Sequence, residues 1–253
     1  LLLGEVIPED LPSLYKDIKV LAMPVSGEEY SLTDLNATLT CDGKPLDLRV
    51  LTDGDLSTKL TMPIDSVTGK AVIDITLPQA QTFRSLNLCD GRVRPEFDAL
   101  KADTPCRLLV CNDKGEWEEV LKIPSGGAPL QTVAFPETTG KHFRLEIDRL
   151  MPDGVAMMLG LGNAPLPKEI SIAEFNMMTA SRVNHSEEKT GFMATMDVED
   201  FPTPVTKEAF PSPQEVVDLT DKLQPDGSLQ WKAPKGKWRI IRFGYSLTGK
   251  RNH

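Results

Sequence analysis

Lys141-His142-Phe143-Arg144-Leu145-Glu146-Ile147 alternates without a break between polar and apolar side chains. Successive side chains of an extended strand point to opposite faces, so Phe143, Leu145 and Ile147 share one face and His142, Arg144 and Glu146 the other. The same period recurs upstream in Ala71-Val72-Ile73-Asp74-Ile75-Thr76-Leu77, which stops at Pro78. Phe83, Leu86 and Leu88 lie in a second apolar run, and Arg107 to Cys111 form a nearly continuous one, as expected for a strand covered on both faces. Ile170 to Met178 reads as a further single strand, Ile18 to Met23 as the first and Trp238 to Tyr245 as the last. Turn signals separate them: Asp42-Gly43, Asp53-Gly54, Asp90-Gly91, Lys114-Gly115, Ser125-Gly126-Gly127 and Asp153-Gly154. Short strands at this spacing predict an all-β antiparallel sandwich. Helical signals are confined to Leu32–Leu35 and Pro213–Val217, the latter with Ser212 placed as N-cap and Pro213 at the first helical position.

The chain has 253 residues, 40% hydrophobic and 26% charged, with 18 Gly and 20 Pro. That composition excludes collagen, coiled coil and wholesale disorder. The net charge of −9 leaves no cationic excess for a phosphate backbone, so no nucleic-acid partner is expected. No apolar run approaches the roughly 20 residues that span a bilayer. Val155 to Leu161 is short and interrupted by Gly160, and Leu1 to Leu3 lack the basic flank of a signal peptide, with Glu5, Glu9 and Asp10 following at once. No membrane partner is expected. The chain has no initiating Met and reads as an interior piece of something longer. Cys41, Cys89, Cys106 and Cys111 form no CxxC and have no paired His spacing, which predicts buried free thiols rather than zinc; a Cys106–Cys111 bridge is the alternative, against which one extended strand would hold the two residues too far apart.

Along the chain, residues 1–15 read as a lead-in and 16–180 as the sandwich. Residues 181–213 read as a Pro-punctuated connection (Pro202, Pro204, Pro211, Pro213), and 214–253 as a smaller β-rich segment in which Trp231 and Trp238 bracket a Pro234-Lys235-Gly236 turn.

The stretch Leu51-Thr52-Asp53-Gly54-Asp55-Leu56-Ser57-Thr58 gathers two carboxylates and hydroxyls around one Gly. Such a loop can wrap a hard cation in oxygen ligands, or it can be a plain Asx-type turn. The order of this loop, an apolar strand, Gly115-Glu116-Trp117-Glu118-Glu119-Val120, Gly140-Lys141-His142-Phe143-Arg144-Leu145 and Ile170-Ser171-Ile172-Ala173-Glu174-Phe175 resembles the discoidin and galactose-binding-like family of jelly-roll modules. The resemblance covers roughly residues 16 to 180. It implies a structural calcium site at Asp53, Asp55, Thr58 and Glu174, with Leu60 standing where the family usually has Trp. No other cofactor is implied. Arg92, Arg94 and Phe97, in the loop after Asp90-Gly91, are the best cluster for a sugar: an aromatic for stacking and donors for hydroxyls.

Val217-Asp218-Leu219-Thr220, Asp226-Gly227-Ser228-Leu229-Gln230-Trp231, Pro234-x-Gly236-x-Trp238 and Arg242 to His253 resemble glycoside hydrolase family 106, the α-L-rhamnosidases, as does Tyr15 to Pro24. This implies a non-catalytic β-sandwich joined to a catalytic (β/α)₈ barrel elsewhere in a longer extracytoplasmic enzyme, periplasmic or secreted, that acts on a rhamnose-containing plant glycan. Trp238 to Tyr245 would be a barrel strand, and Lys250, Arg251, Asn252 and His253 would follow it as donors to sugar hydroxyls. The alternatives are an independent carbohydrate-binding module and a discoidin-like protein-interaction module. An inverting glycosidase needs two carboxylates roughly 6.5–9.5 Å apart. Glu118, Glu119, Glu187, Glu188, Asp197, Glu199 and Asp200 lie in charge runs, which read as solvated faces, so no catalytic residue is nominated. His142 and His185 read as surface residues.

Overall fold

The structure is a computed structural model that describes residues 15–25, 28–90, 106–123, 130–149, 165–189, 202–204 and 211–246. Its strands are β1 (Tyr15–Pro24), β2 (Thr38–Cys41), β3 (Lys44–Leu46), β4 (Leu60–Pro63), β5 (Lys70–Cys89), β6 (Cys106–Cys111), β7 (Trp117–Ile123), β8 (Gln131–Asp148), β9 (Glu169–Ile172), β10 (Glu174–Met178), β11 (Val217–Asp218) and β12 (Trp238–Ser246). Every pairing among them is antiparallel. The all-β antiparallel class expected from the alternation is the class found. No helix among the described residues is long and apolar enough to cross a membrane.

The chain divides into two compact units, Glu28–Val205 and a second built from Leu1–Gly27 with Thr206–His253. The larger unit carries a seven-stranded sheet in the order β3-β2-β5-β8-β6-β7, with β10 also on β5, and a separate β4-β9 pair. The two long strands β5 and β8 run together with register shifts at Thr76/Gln81 and Phe83/Ser85. Past those bulges β5 exchanges its partner β2 for β10, so one strand pair serves both parts of the sheet. Phe143, Leu145 and Ile147 are fully buried, His142 is exposed and Arg144 and Glu146 are half-buried, as the alternation requires. Phe83 packs edge-to-face on Phe143 with centroids 5.4 Å apart. Met62 of β4 and Ile172 of β9 join the same core.

The polar face of β8 is an ionic ladder. Glu146 meets Lys70 at 2.6 Å and Arg107 at 3.1 Å. Asp74 meets Arg144 at 2.7 Å, and the Arg144 guanidinium lies 4.2 Å from the Trp117 ring centroid. The Asp42-Gly43 signal becomes a two-residue hairpin between β2 and β3, with φ of 50° and 70°. Both central residues of such a turn need positive φ, which Asp tolerates and Gly adopts freely. The four cysteines are free; Cys41, Cys89 and Cys106 are buried.

Several readings are corrected. Arg107 to Cys111 is only half-covered on its second face, where Arg107, Leu109 and Cys111 stay partly exposed. Ile170 to Met178 is two strands: the Ala173 N–H donates to Cys89 O, and the chain passes there from β4's partner to β5's. Leu32–Leu35 is a hydrogen-bonded turn, ended by Asn36 at φ 53°. The short helix expected over Pro213–Val217 is present with Ser212 as N-cap and Pro213 in its first turn, but as a 3₁₀ helix that ends at Glu215, whose carboxylate accepts from the Ser212 N–H at 2.8 Å. The sandwich does not start at residue 16. β1 pairs with β11 and β12, so Ile18 to Met23 belongs to the smaller unit. Residues 181–189, assigned to the connection, belong to the larger unit. A (β/α)₈ barrel has only parallel strands; Trp238–Ser246 lies antiparallel to Tyr15–Pro24, so this pairing is not a barrel's.

Candidate functional site

Leu51, fully buried in the core, anchors a 3₁₀ turn at Val50–Thr52, and the Asp53–Thr58 loop projects from it. The loop is closed by its own donors. Asp53 Oδ1 accepts from the Asp55 N–H and Oδ2 from the Thr58 hydroxyl, both at 2.7 Å. Asp55 Oδ1 accepts from the Ser57 hydroxyl at 2.6 Å and N–H at 2.9 Å, which holds the Asp55 carboxyl below its ordinary range. Gly54 sits at φ +76°, a conformation that favours glycine, and turns its N–H onto Glu174 Oε1 at 2.6 Å.

Glu174 is 8% exposed. Burial pushes its carboxyl upward. The Gly54 N–H opposes that shift, and the neighbouring carboxylates of Asp53 and Asp55 reinforce it. The four residues named for calcium therefore stand together, three of them acidic and mutually repelling. Among the described residues no three His, Cys, Asp or Glu side chains form a group arranged to hold a metal ion. The hydrogen-bonded arrangement is that of an Asx-type turn clamped by a glutamate from β10.

The same end of the sandwich carries the root of the expected sugar loop. Glu174 is the register partner of Cys89, the last residue of β5. The chain leaves the sheet at buried Asp90 and returns at Cys106, whose Sγ lies 3.6 Å from Asp90 Oδ2. Arg92, Arg94 and Phe97 fall between these two points and lie outside the described residues, as do Lys250, Arg251, Asn252 and His253.

Sequence reasoning missed a second polar cluster, against the start of β8. Glu187 accepts from the Thr132 hydroxyl at 2.6 Å and N–H at 2.9 Å. Asn184 Oδ1 accepts from the Ala134 N–H at 2.9 Å, and the His185 N–H donates to Thr132 O. His185 Nδ1 lies 2.5 Å from Glu188 Oε2, and both residues are buried. The charge run Glu187-Glu188 and His185 are thus not a solvated face. The only local hint was the i,i+3 spacing of His185 and Glu188; their partners on β8 are some fifty residues upstream.

The family model described as alpha-L-rhamnosidase, glycoside hydrolase family 106, matches residues 6–253. A rhamnosidase from Novosphingobium sp. PP1Y is 25% identical with a TM-score of 0.60, and the alignment covers 98% of this chain and 21% of that one. A family 32 carbohydrate-binding module of NanJ from C. perfringens, solved with galactose, is 15% identical with a TM-score of 0.38, over 60% of this chain and 99% of that one. A Formosa agariphila protein named "Putative beta-glucuronidase" is 47% identical over 49 residues, 19% of this chain and 4% of that protein. The chain spans about a fifth of the length of the rhamnosidase, and its 49-residue match takes in 4% of the Formosa protein.

Proposed function

This chain belongs to the α-L-rhamnosidase family of glycoside hydrolases, and we propose that it is the non-catalytic β-sandwich portion of such an enzyme. The observation that carries the proposal is the family match over residues 6–253 in a chain that spans only 21% of the matched rhamnosidase. The chemistry of the described residues supports it. Acid–base cleavage of a glycoside needs two carboxyl groups facing one sugar. The buried glutamates here serve the fold: Glu174 holds Gly54 and Glu188 meets His185, while half-buried Glu187 caps Thr132. The substrate of the longer enzyme is a rhamnose-containing plant-type glycan, met outside the cytoplasm, and the catalytic barrel is this chain's intramolecular partner. In this reading Arg92, Arg94 and Phe97 are the residues that contact sugar, and Lys250, Arg251, Asn252 and His253 are donors to the substrate's hydroxyls.

A structural calcium ion at the Asp53 loop is part of the same proposal, and binding it requires the loop to exchange its present hydrogen bonds for oxygen ligation, since the side chains as they stand form no metal-holding group. Asp53, Asp55, Thr58 and Glu174 would supply oxygen ligands, and a divalent charge would offset the burial, and with it the lesser repulsion from Asp53 and Asp55, that raise the Glu174 carboxyl.

Two measurements test the reading. The 253-residue chain, incubated with an aryl α-L-rhamnoside, is expected to release no aglycone; turnover above the uncatalysed rate would end the non-catalytic assignment. Calorimetry with rhamnose- and galactose-containing oligosaccharides is expected to show millimolar binding that is lost in Phe97→Ala. Binding that survives Phe97→Ala would remove the sugar loop from the proposal.

A further inference from the structure

We infer that Asn36 is an acceptor for N-linked glycosylation, its carboxamide taking an oligosaccharide from a pyrophosphate-activated lipid donor. The inference rests on the extracytoplasmic setting proposed above for the longer enzyme and adds a covalent site to it.

Transfer to asparagine needs Asn-x-Ser/Thr, with x other than Pro, on a surface segment of an exported protein. Of the seven asparagines two meet the pattern, in Asn36-Ala37-Thr38 and Asn184-His185-Ser186. Sequence nominates both, and placement separates them. Asn184 is 8% exposed, and both ends of its carboxamide are engaged: Oδ1 accepts from the Ala134 N–H at 2.9 Å and Nδ2 donates to Pro202 O at 3.2 Å. Nδ2 is the atom that has to react, so Asn184 serves the fold.

Asn36 is placed the opposite way. It closes the turn that leads into β2: its N–H donates to Thr33 O at 3.1 Å, and the Ala37 N–H donates to Leu32 O at 3.0 Å. Its φ of 53° is one that asparagine tolerates. Leu35 and Ala37, on either side, are partly buried against the core, whereas Asn36 is exposed. Its carboxamide has no hydrogen-bond partner among the described residues. Thr38, whose hydroxyl a transferase reads, is the exposed first residue of β2, with only a long 3.4 Å contact to Thr76 O. Asp34, also exposed, stands two residues before Asn36 and supplies the acid of the stricter Asp/Glu-x-Asn-x-Ser/Thr form. Its carboxylate accepts from the Ser31 N–H at 2.8 Å and hydroxyl at 2.6 Å, which keeps it ionised by holding its carboxyl below the ordinary range. The three groups that define the acceptor are thus exposed at alternate positions, while the two residues between them tie the segment to the core.

The step balances without a redox partner. Nδ2 attacks C1 of the donor sugar, and a C1–N bond forms as the C1–O bond to pyrophosphate breaks. The lipid pyrophosphate leaves with the bonding pair, and one amide proton passes to a base of the transferase.

The test exports the 253-residue chain to the periplasm of a bacterium carrying an N-oligosaccharyltransferase that requires the acid two residues before the asparagine. A terminal acceptor tag on the same chain reports that the transferase works. Peptide mass spectrometry is expected to find one glycan on Asn36 and none on Asn184. Thr38→Val is expected to abolish the added mass at Asn36 and Thr38→Ser to retain it, a pair of results that an asparagine kept only for its turn does not produce. Should Thr38→Val fail to fold, Asn36→Gly, which suits a φ of 53°, replaces it with the same expected loss. A glycan on the tag but none on Asn36 overturns the proposal, as does equal occupancy of Asn184. Turnover of an aryl α-L-rhamnoside by the longer chain is read separately. A glycan on Asn36 without turnover retains the acceptor site and discards the rhamnosidase reading; turnover without a glycan does the reverse.

Discussion

The carboxylate of Glu174, on β10, accepts the N–H of Gly54 at 2.6 Å and so joins residues 120 positions apart in sequence. This contact fixes the Asp53 loop against the sheet. It also holds Glu174 beside two other carboxylates, in a place that disfavours its ionised form.

A pH dependence follows. The folded state raises the Glu174 carboxyl above its ordinary value, so the acid form is favoured in the fold. The corresponding stability is present below the ordinary carboxylate range and is lost as pH rises through the raised value. Glu174→Gln keeps an oxygen acceptor for Gly54 without the charge. It is expected to unfold about 2 °C higher than the wild type at pH 7, with the difference closing on acidification. A variant less stable at pH 7 would contradict this.

Calcium acts on the same residues. If the loop takes a calcium ion, millimolar calcium raises the unfolding midpoint of the wild type by about 2–4 °C and leaves Glu174→Gln and Asp53→Asn nearly unmoved. Magnesium, which demands a tighter octahedral shell, has the smaller effect. An identical response of wild type and both variants would remove the metal from this loop.

Gly140 on β8 packs directly against β6. A Cβ built on it would lie 2.4 Å from Val110 Cγ2, on a side chain partly buried against the core, and 3.1 Å from Cζ of fully buried Phe143. Gly140→Ala therefore forces the β6–β8 contact apart and is expected to cost about 1–3 kcal/mol in urea unfolding. Val110→Ala in the same background should recover part of that loss. No recovery would mean that the clash is not the cause.

Glu187 caps two donors of Thr132, which is buried. Glu187→Ala strands a buried N–H and is expected to cost about 1–3 kcal/mol, with Glu187→Gln costing less because it keeps one acceptor. The reading of Glu187 as a solvated charge predicts no measurable change, so a denaturation curve separates the two.

Local patterns carried the strands and their inward faces. The alternation of Phe143, Leu145 and Ile147 needs only the geometry of one extended segment, and so does the hairpin at Asp42-Gly43. Glu174 was legible as an acid belonging with the Asp53 loop through family resemblance, but its hydrogen bond to Gly54 was not. His185 and Glu188 were misread because a charge run has the same appearance in sequence whether water or Thr132 and Ala134 lie opposite.

The sequence by itself determined which residues are extended, which side of each strand is apolar and where the chain turns, because these depend on neighbours within a few positions. Only the tertiary structure decided that Tyr15–Pro24 pairs with Trp238–Ser246 rather than with the sandwich, and that Ala173 passes the chain between sheets. Alternation names a strand's face but not its partner. Partner choice depends on contacts more than two hundred residues apart, which no local period encodes.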